Sequence, residues 1–353
     1  MPPPPAFVFV TCQPGSNLWL KADVLTAHPG FRFAFSRPGL ITFKCPPGQP
    51  PIFEQTSPLA SSWGYSLGRA TNLAEVFGLL DQSSLAKPVR LHVFERDPKE
   101  IDLLGPRISQ LGERAGVLSG ELLAAEPKRF LPSTRAEEGD WVLDVVATAA
   151  TEPEEPWLVG WHRQAAGRSP FPGGPQRVLP PPEAPSRAYA KLEEVVAWAG
   201  IELRAGQTAV EIGCAPGGAS LALLRHGVSV VGIDPAHVDV KVTDFLGTAK
   251  NRFRHVKKPA GAIAPADLPK TADWLLCDVN LAPPVALQYV DRISSMLRAS
   301  LKGLLLTLKL NDDRMHRALP DLLTRVGRLG FGAPRAIQLP SNRSEVSVVA
   351  RRG

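Results

Sequence analysis

The sequence has little cysteine, no long apolar run and no strong excess of charge. Its four cysteines, in 353 residues, are far apart, which excludes a disulfide framework and a cysteine-rich metal cluster. No apolar stretch reaches the roughly 20 residues that cross a bilayer. The opening MPPPPAFVFVTC has no positive flank of the kind that precedes a secretory signal. These absences predict a cytoplasmic protein with reduced thiols, no metal site and no membrane partner.

What the chain does contain is typical of folded proteins. Hydrophobic residues make up 44% and charged residues 21%, which excludes a disordered chain. The length predicts two or three domains. The net charge of +6 favours a polyanionic partner over an acidic-surface or membrane-spanning one, although a mildly basic surface alone would also account for it.

Proline marks the domain organisation, because many of the 36 prolines lie in clusters. The stretch RQAAGRSPFPGGPQRVLPPPEAP has no periodicity and predicts a stiff connector at 166–185. Before it, β-rich runs such as AFVFVT and LITFK alternate with helical runs such as TNLAEVFGLL. This pattern predicts an α+β region over 1–165, built as two small units in tandem.

The remaining part, 186–353, alternates strands and helices. TAVEIG, ASLALLRHG and VSVVGID read as a strand, a helix and a strand, and DWLLCD, GLLLTLKL and EVSVVARR as further strands. Alternation of this kind predicts an α/β, Rossmann-like fold with a mostly parallel sheet and one antiparallel member near an edge.

A nucleotide-type ligand site is predicted where the first two of these strands end. The turn EIGCAPGGAS lets the backbone approach a ligand closely, and Asp234 is placed to accept hydrogen bonds from ribose hydroxyls. The turn lacks the G-x-G-x-x-G that an NAD-dependent oxidoreductase would have. We therefore predict an adenosyl ligand, held by Gly213, Cys214, Ala215, Pro216, Gly217, Gly218, Asp234 and Asp278.

Four charged residues form the candidate catalytic set. Lys309 interrupts the apolar run LLLTLKL, where a lysine is costly to bury without a use, and Asp278 ends the strand WLLCD. Burial and a neighbouring cation, Lys191, would lower the pKa of Lys309 so that its neutral amine could act as a general base. Glu345 could orient the amines. Taken singly, Lys191 could also be a solvated helix residue and Glu345 an exposed strand end.

The segments SRAYAKLEE, EIGCAPGGAS, DWLLCDVN, LTLKL and NRSEVSVVA resemble, in order, the motifs of the FtsJ-type 2′-O-ribose methyltransferases. The resemblance implies S-adenosylmethionine as cofactor and a Lys-Asp-Lys-Glu catalytic tetrad at Lys191, Asp278, Lys309 and Glu345. The connector and the opening VTCQPGSNLWLKAD resemble the branch that methylates a cytidine of bacterial large-subunit ribosomal RNA. The resemblance also implies an N-terminal RNA-binding region of ferredoxin-like plus THUMP-type units. It departs from the family after the third strand, where Lys257 and Lys258 replace the usual acid.

Basic residues in and around the connector are candidates for following a phosphate backbone. They are Arg163, Arg168, Arg177 and Arg187. Two other functions remain open: methylation of a small-molecule or peptide hydroxyl, and RNA binding without catalysis. The sequence gives no indication of the oligomeric state.

Overall fold

The computed structural model describes residues 5–47, 53–96, 112–148 and 155–352. The chain divides into two compact units, Met1–Gln176 and Arg177–Gly353, and the division falls within the proline-rich stretch 166–185. No helix in the described ranges combines the length and the hydrophobicity that a membrane crossing requires.

The first unit places helices on a single antiparallel-rich sheet. Its elements are β1 (Phe7–Thr11), α1 (Asn17–Ala27), β2 (Arg32–Arg37), β3 (Leu40–Lys44), β4 (Ser62–Ala70), α2 (Leu73–Gln82), β5 (Arg90–Glu95), α3 (Glu113–Ala125), β6 (Trp141–Ala147) and β7 (Trp157–Arg163). The strand order is β2-β3-β1-β4-β7-β6-β5, and within it β5 and β6 form the parallel pair.

The two small α+β units that the sequence predicts in tandem share one seven-stranded sheet, because β4 pairs with strands of both halves. This nine-residue strand pairs with β1 along one edge and with β7 along the other. A register shift between Ser66 and Gly68 bends the strand locally, as β-bulges do. Because β4 has a partner strand on each side, the two halves form one continuous sheet with no exposed strand edge where they meet.

The second unit has the α/β fold that the sequence predicts. Its elements are α4 (Ala188–Ala199), β8 (Thr208–Ile212), α5 (Gly218–Arg225), β9 (Ser229–Ile233), α6 (Val240–Thr243), β10 (Phe253–Val256), β11 (Trp274–Cys277), α7 (Pro283–Leu297), β12 (Gly303–Lys309), α8 (Asp313–Arg317), α9 (Leu319–Gly327), β13 (Arg335–Ile337) and β14 (Glu345–Arg351). The strand order is β10-β9-β8-β11-β12-β14-β13. The first five strands in this order are parallel, and β14 runs antiparallel next to the edge. This arrangement is a doubly wound, Rossmann-like α/β fold.

Helix α4 packs on this sheet with the apolar side that its periodicity predicts. Leu192, Val195 and Ala199 are buried in one core with residues of β8, β9, β11 and β12, because side chains at this spacing share one side of a helix. Gly200 ends the helix in the left-handed conformation, which glycine adopts without a steric penalty.

A buried carboxylate on α4 fixes two loops of the second unit. Glu194 is 2% exposed and accepts hydrogen bonds from the backbone N–H of Val178, at 3.0 Å, and of Ser341, at 2.8 Å. The Ser341 hydroxyl donates a third, at 2.8 Å. Burial raises the pKa of Glu194, and these donors act against that rise.

Candidate active site

The second sheet reverses its strand order between β8 and β11. The chain builds β9 and β10 on one side of β8, then crosses to lay β11 and β12 on the other. Ile212 and Cys277 are register partners at the ends of β8 and β11, so Gly213 and Asp278 leave the sheet side by side. Open α/β sheets bind ligands at this kind of reversal.

The glycine-rich turn is packed closely against the end of β11. Gly213 has a φ of +82°, and a Cβ at this position would come within 2.6 Å of the carbonyl oxygen of Asp278. Gly217, at φ +117°, precedes the first turn of α5. The side chain of Cys214 is buried, and burial raises the pKa of its thiol. A ligand at this turn would therefore meet backbone groups rather than the thiol.

Asp234 stabilises the same turn through hydrogen bonds to backbone N–H groups. Its Oδ2 accepts the N–H of Ala215 at 3.2 Å and its Oδ1 accepts the N–H of Ala236 at 2.8 Å. The side chain stays partly exposed, and Pro216 is exposed beside it. Because each carboxylate oxygen has two lone pairs, both oxygens keep capacity to accept hydrogen bonds from a ligand.

The four residues of the candidate catalytic set meet in a closed ring of ion pairs. The Nζ of Lys191 lies 3.1 Å from Asp278 Oδ2, and the Nζ of Lys309 lies 3.2 Å from Asp278 Oδ1. Both amines also contact Glu345, one at each carboxylate oxygen. Register explains part of this arrangement, because Lys309 and Glu345 are directly paired between β12 and β14. Two cations and two anions leave the ring neutral.

The charge state of Lys309 corrects the sequence-based expectation of a neutral amine. Burial lowers the pKa of Lys309, but Asp278 and Glu345 outweigh burial and raise it above its usual value. Burial would likewise raise the pKa of Asp278, and Lys191 and Lys309 outweigh it and lower that pKa. The expectation counted the neighbouring cation and not the two carboxylates that contact the amine. The resting site therefore holds Lys309 as an ammonium.

Sequence reasoning did not identify Asn342, which positions Glu345. Asn342 is 2% exposed, and its Nδ2 donates to Glu345 Oε1 at 3.4 Å. Its Oδ1 accepts the N–H of Leu339 at 2.8 Å and the hydroxyl of Ser347 at 3.2 Å. The available signal was an asparagine three residues before the acid in the motif NRSE.

Glu211 was also not identified, although it is an acid inside the apolar strand TAVEI. It is 2% exposed, and Ser220 donates a hydrogen bond to its carboxyl group. Burial, opposed by that hydrogen bond and reinforced by Asp278 and Asp234, raises the pKa of Glu211 to about 8. Glu211, Lys191 and Asp278 line a small cavity of about 40 Å³. A protonated Glu211 adds no negative charge beside the ion-pair ring.

The four candidate RNA-binding arginines have different surroundings. Arg163 ends β7 with an exposed side chain, 5.1 Å over the ring of Trp141. Arg168 is engaged within the first unit: its side chain is 8% exposed, donates to the carbonyl of Trp63 at 2.8 Å and pairs with Glu54 at 3.1 Å. In the second unit, two partly exposed residues complete the set: Arg177, and Arg187 at the start of α4.

Comparison with known proteins identifies a matching family and several relatives of this chain. Residues 184–312 match the family described as FtsJ-like methyltransferase, which confirms the resemblance that the motifs indicate. Proteins named ribosomal RNA large subunit methyltransferase M are 30% identical in Alkalilimnicola ehrlichii, over 55% of this chain and 53% of the relative, and 34% identical in Thauera aminoaromatica, over 49% and 43%. The protein of that name in Cellvibrio japonicus is 29% identical over 69% of this chain and 71% of its own length.

The first of these matches are partial. The chain spans about half the length of the curated relatives in Alkalilimnicola ehrlichii and Chromohalobacter salexigens. The fold assignment of the second unit rests on its own strand order and register.

Proposed function

We propose that this chain, whose residues 184–312 match the FtsJ-like methyltransferases, transfers a methyl group from S-adenosylmethionine to a ribose 2′-hydroxyl in RNA. The observation that carries the proposal is the closed ring of Lys191, Asp278, Lys309 and Glu345 beside the glycine-rich turn. The names of the relatives support large-subunit ribosomal RNA as the substrate.

The residues at the strand ends fit an adenosyl cofactor. Asp234 can accept hydrogen bonds from two ribose hydroxyls, as an acid at the end of the second strand does in nucleotide-type sites. The turn around Gly213 and the first turn of α5 present backbone N–H groups, which suit a carboxylate. Bound there, S-adenosylmethionine would supply an electrophilic methyl group. The Lys257 and Lys258 pair, after β10, leaves the adenine contact unassigned.

Within the ring, Lys309 is the proposed base for the ribose hydroxyl. Because its acidic partners hold it as an ammonium, Nζ must first lose a proton to solvent, and Glu345 Oε2, in contact with Nζ, is placed to relay it. Nζ would then take the hydroxyl proton as the ribose oxygen becomes a nucleophile. Lys191 and Asp278 would keep the amine and the hydroxyl in position, which is where much of the acceleration arises.

The first unit is proposed to capture RNA. In this proposal the RNA-binding region, of ferredoxin-like plus THUMP-type character, covers 1–165. The connector covers 166–185 and the methyltransferase domain covers 186–353. The protein would act in the cytoplasm. Arg163, Arg177 and Arg187 would contact phosphates and supply affinity without base reading. Arg168 remains a candidate, with its paired guanidinium making a structural contribution as well.

The test is methyl transfer from labelled S-adenosylmethionine to total bacterial RNA, compared with a peptide mixture and small-molecule alcohols. We expect label in RNA alone, and its loss in Lys309→Met. The matched control is Lys302→Met, which removes an exposed lysine that pairs with Asp273 at 2.8 Å away from the ring. Label in peptides or small molecules would favour the rival methyltransferase, and RNA binding without transfer would favour a non-catalytic binding protein.

A further inference from the structure

The first unit contains a buried cluster of two histidines and a carboxylate. His92, Asp144 and His162 lie on the neighbouring strands β5, β6 and β7, and are 1%, 0% and 3% exposed. His92 and Asp144 are direct register partners, and Asp144 is paired with Gly160, two residues before His162 on β7. Because side chains alternate between the two sides of a sheet, the three point to the same side. One potential ligand atom from each lies within 4.8 Å of the others.

Both histidine rings present the same nitrogen to the carboxylate. The Nε2 of His92 lies 2.8 Å from the carbonyl oxygen of Thr134. A carbonyl only accepts, so Nε2 carries the hydrogen. The Nδ1 of His92 faces Asp144, at 3.8 Å from Oδ1. With its hydrogen on Nε2, the ring directs the lone pair of Nδ1 at the carboxylate.

The second ring is oriented in the same way by Gln164. Its amide nitrogen donates to the carbonyl of Arg168 at 3.2 Å, which turns its Oε1 toward the Nε2 of His162, at 3.4 Å. The Nε2 of His162 therefore also carries the hydrogen, and its Nδ1 faces Asp144 Oδ2 at 2.6 Å. The Nδ1 atoms of both histidines thus direct their lone pairs at the same carboxylate. These groups repel one another unless a cation lies between them.

The carboxylate itself is incompletely satisfied. Asp144 Oδ1 is buried and has no hydrogen-bond partner among the described residues. A buried anionic oxygen without a partner is strongly unfavourable. The atoms in need of a cation are therefore Asp144 Oδ1 and the Nδ1 of His92, which face each other.

We propose that His92, Asp144 and His162 bind one divalent transition-metal ion, Zn²⁺ being the best fit, through the two Nδ1 atoms and the carboxylate. Neutral imidazoles and a carboxylate are ligands that Zn²⁺ takes. Ligand atoms at 2.0–2.1 Å from a tetrahedral ion lie about 3.3 Å apart. The distance from His162 Nδ1 to Asp144 Oδ2 is 2.6 Å and that from His92 Nδ1 to Asp144 Oδ1 is 3.8 Å, so the two lie on either side of that value. The oxygen acceptors at both Nε2 atoms are the partners that hold metal-bound histidines in their tautomer.

The metal would have a structural role. The three ligands are buried within the first unit. It would fasten β5, the strand at the edge of the first sheet, to β6 and β7. The proposal departs from the sequence-based expectation of no metal site, and it does not depend on the proposed methyl transfer.

The test uses the full chain, stripped of metal with a chelator and titrated with Co²⁺ as a spectroscopic probe. We expect binding of about one equivalent with a tetrahedral visible spectrum, and without the charge-transfer band that thiolate ligands give. Zn²⁺ should displace the Co²⁺ and raise the melting temperature, because an ion that binds the folded state alone stabilises it. Mg²⁺ should do neither.

Variants locate the site. Asp144→Asn and the pair His92→Gln with His162→Gln should lose the Co²⁺ spectrum, whereas His226→Gln, which removes a histidine hydrogen-bonded to Glu193 in the second unit, should keep it. If a variant fails to fold, the titration of the wild-type chain still decides. Wild-type protein that shows neither a Co²⁺ spectrum nor a Zn²⁺-dependent melting shift would overturn the proposal and leave a shared proton as the cation. A spectrum unchanged in the folded variants would overturn it too.

Discussion

Replacing Lys309 by methionine removes the proposed base while keeping a side chain of similar length. Loss of a general base lowers rates by roughly 10²–10⁴-fold, so single-turnover transfer to RNA should fall by at least that factor. Cofactor affinity should change little, because Lys309 is not among the predicted cofactor contacts. Lys302→Met should leave both quantities unchanged.

The same substitution should lower the free energy of unfolding of the second unit. Replacing a buried lysine that had no acidic partners would instead be expected to raise it. It leaves one cation, Lys191, between two carboxylates, of which Glu345 is 5% exposed. Breaking a fully buried pair costs about 3–5 kcal/mol. Since Lys191 still bridges both acids and the Lys309 side chain is 16% exposed, we expect about 1–3 kcal/mol by denaturant unfolding. Adding Glu345→Gln restores neutrality and should recover part of that loss.

Two results would refute this reasoning. Transfer by Lys309→Met at a rate close to that of wild type would exclude the lysine as base. A loss of cofactor binding equal to the loss of transfer would instead make Lys309 a cofactor contact.

Four further predictions concern this site, the second unit around it and RNA capture by the first unit. The pKa of Lys309 is raised by its acidic partners, so the neutral amine becomes tenfold rarer with each pH unit below that pKa. The single-turnover rate should therefore rise with pH through neutrality. A flat profile measured with stable RNA would contradict the base assignment. Asp234→Ala should weaken S-adenosylmethionine binding by about 1–3 kcal/mol in calorimetry, with Asp234→Asn retaining more affinity; unchanged binding would remove Asp234 from the cofactor site. Glu194→Ala should lower the free energy of unfolding by about 2–4 kcal/mol, because it leaves buried backbone N–H groups without an acceptor. A loss below 1 kcal/mol would mean that water replaces the carboxylate. A fragment of residues 177–353 should bind cofactor yet lose most RNA affinity, and full RNA affinity in this fragment would exclude substrate capture by the first unit.

Local patterns predicted the second unit well because its strands are short, apolar and separated by clear turns. The position of Lys309 near the end of the run LLLTLKL, and of Asp278 at the end of WLLCD, already placed both at the same sheet edge. Parallel strands bring their carboxyl ends together, so adjacency of these two residues could be inferred without coordinates.

Features that depend on partners far apart in sequence could not be inferred in this way. The single sheet of the first unit depends on β4 pairing with both β1 and β7, and no local pattern encodes a second partner. The protonation of Lys309 depends on how many acids contact Nζ, which spacing alone does not show. Asn342 follows a proline and a serine in a loop, where asparagine is common, and its contact with Glu345 is visible only in the structure.

The position of the transferred methyl group tests the central claim most directly. RNA methylated by the wild-type chain with isotope-labelled S-adenosylmethionine would be digested to nucleosides and analysed by mass spectrometry, with a parallel alkaline hydrolysis. We predict label on ribose and an alkali-resistant dinucleotide, because a methylated 2′-oxygen cannot attack the neighbouring phosphate. Label on a base, with complete alkaline cleavage, would contradict the account.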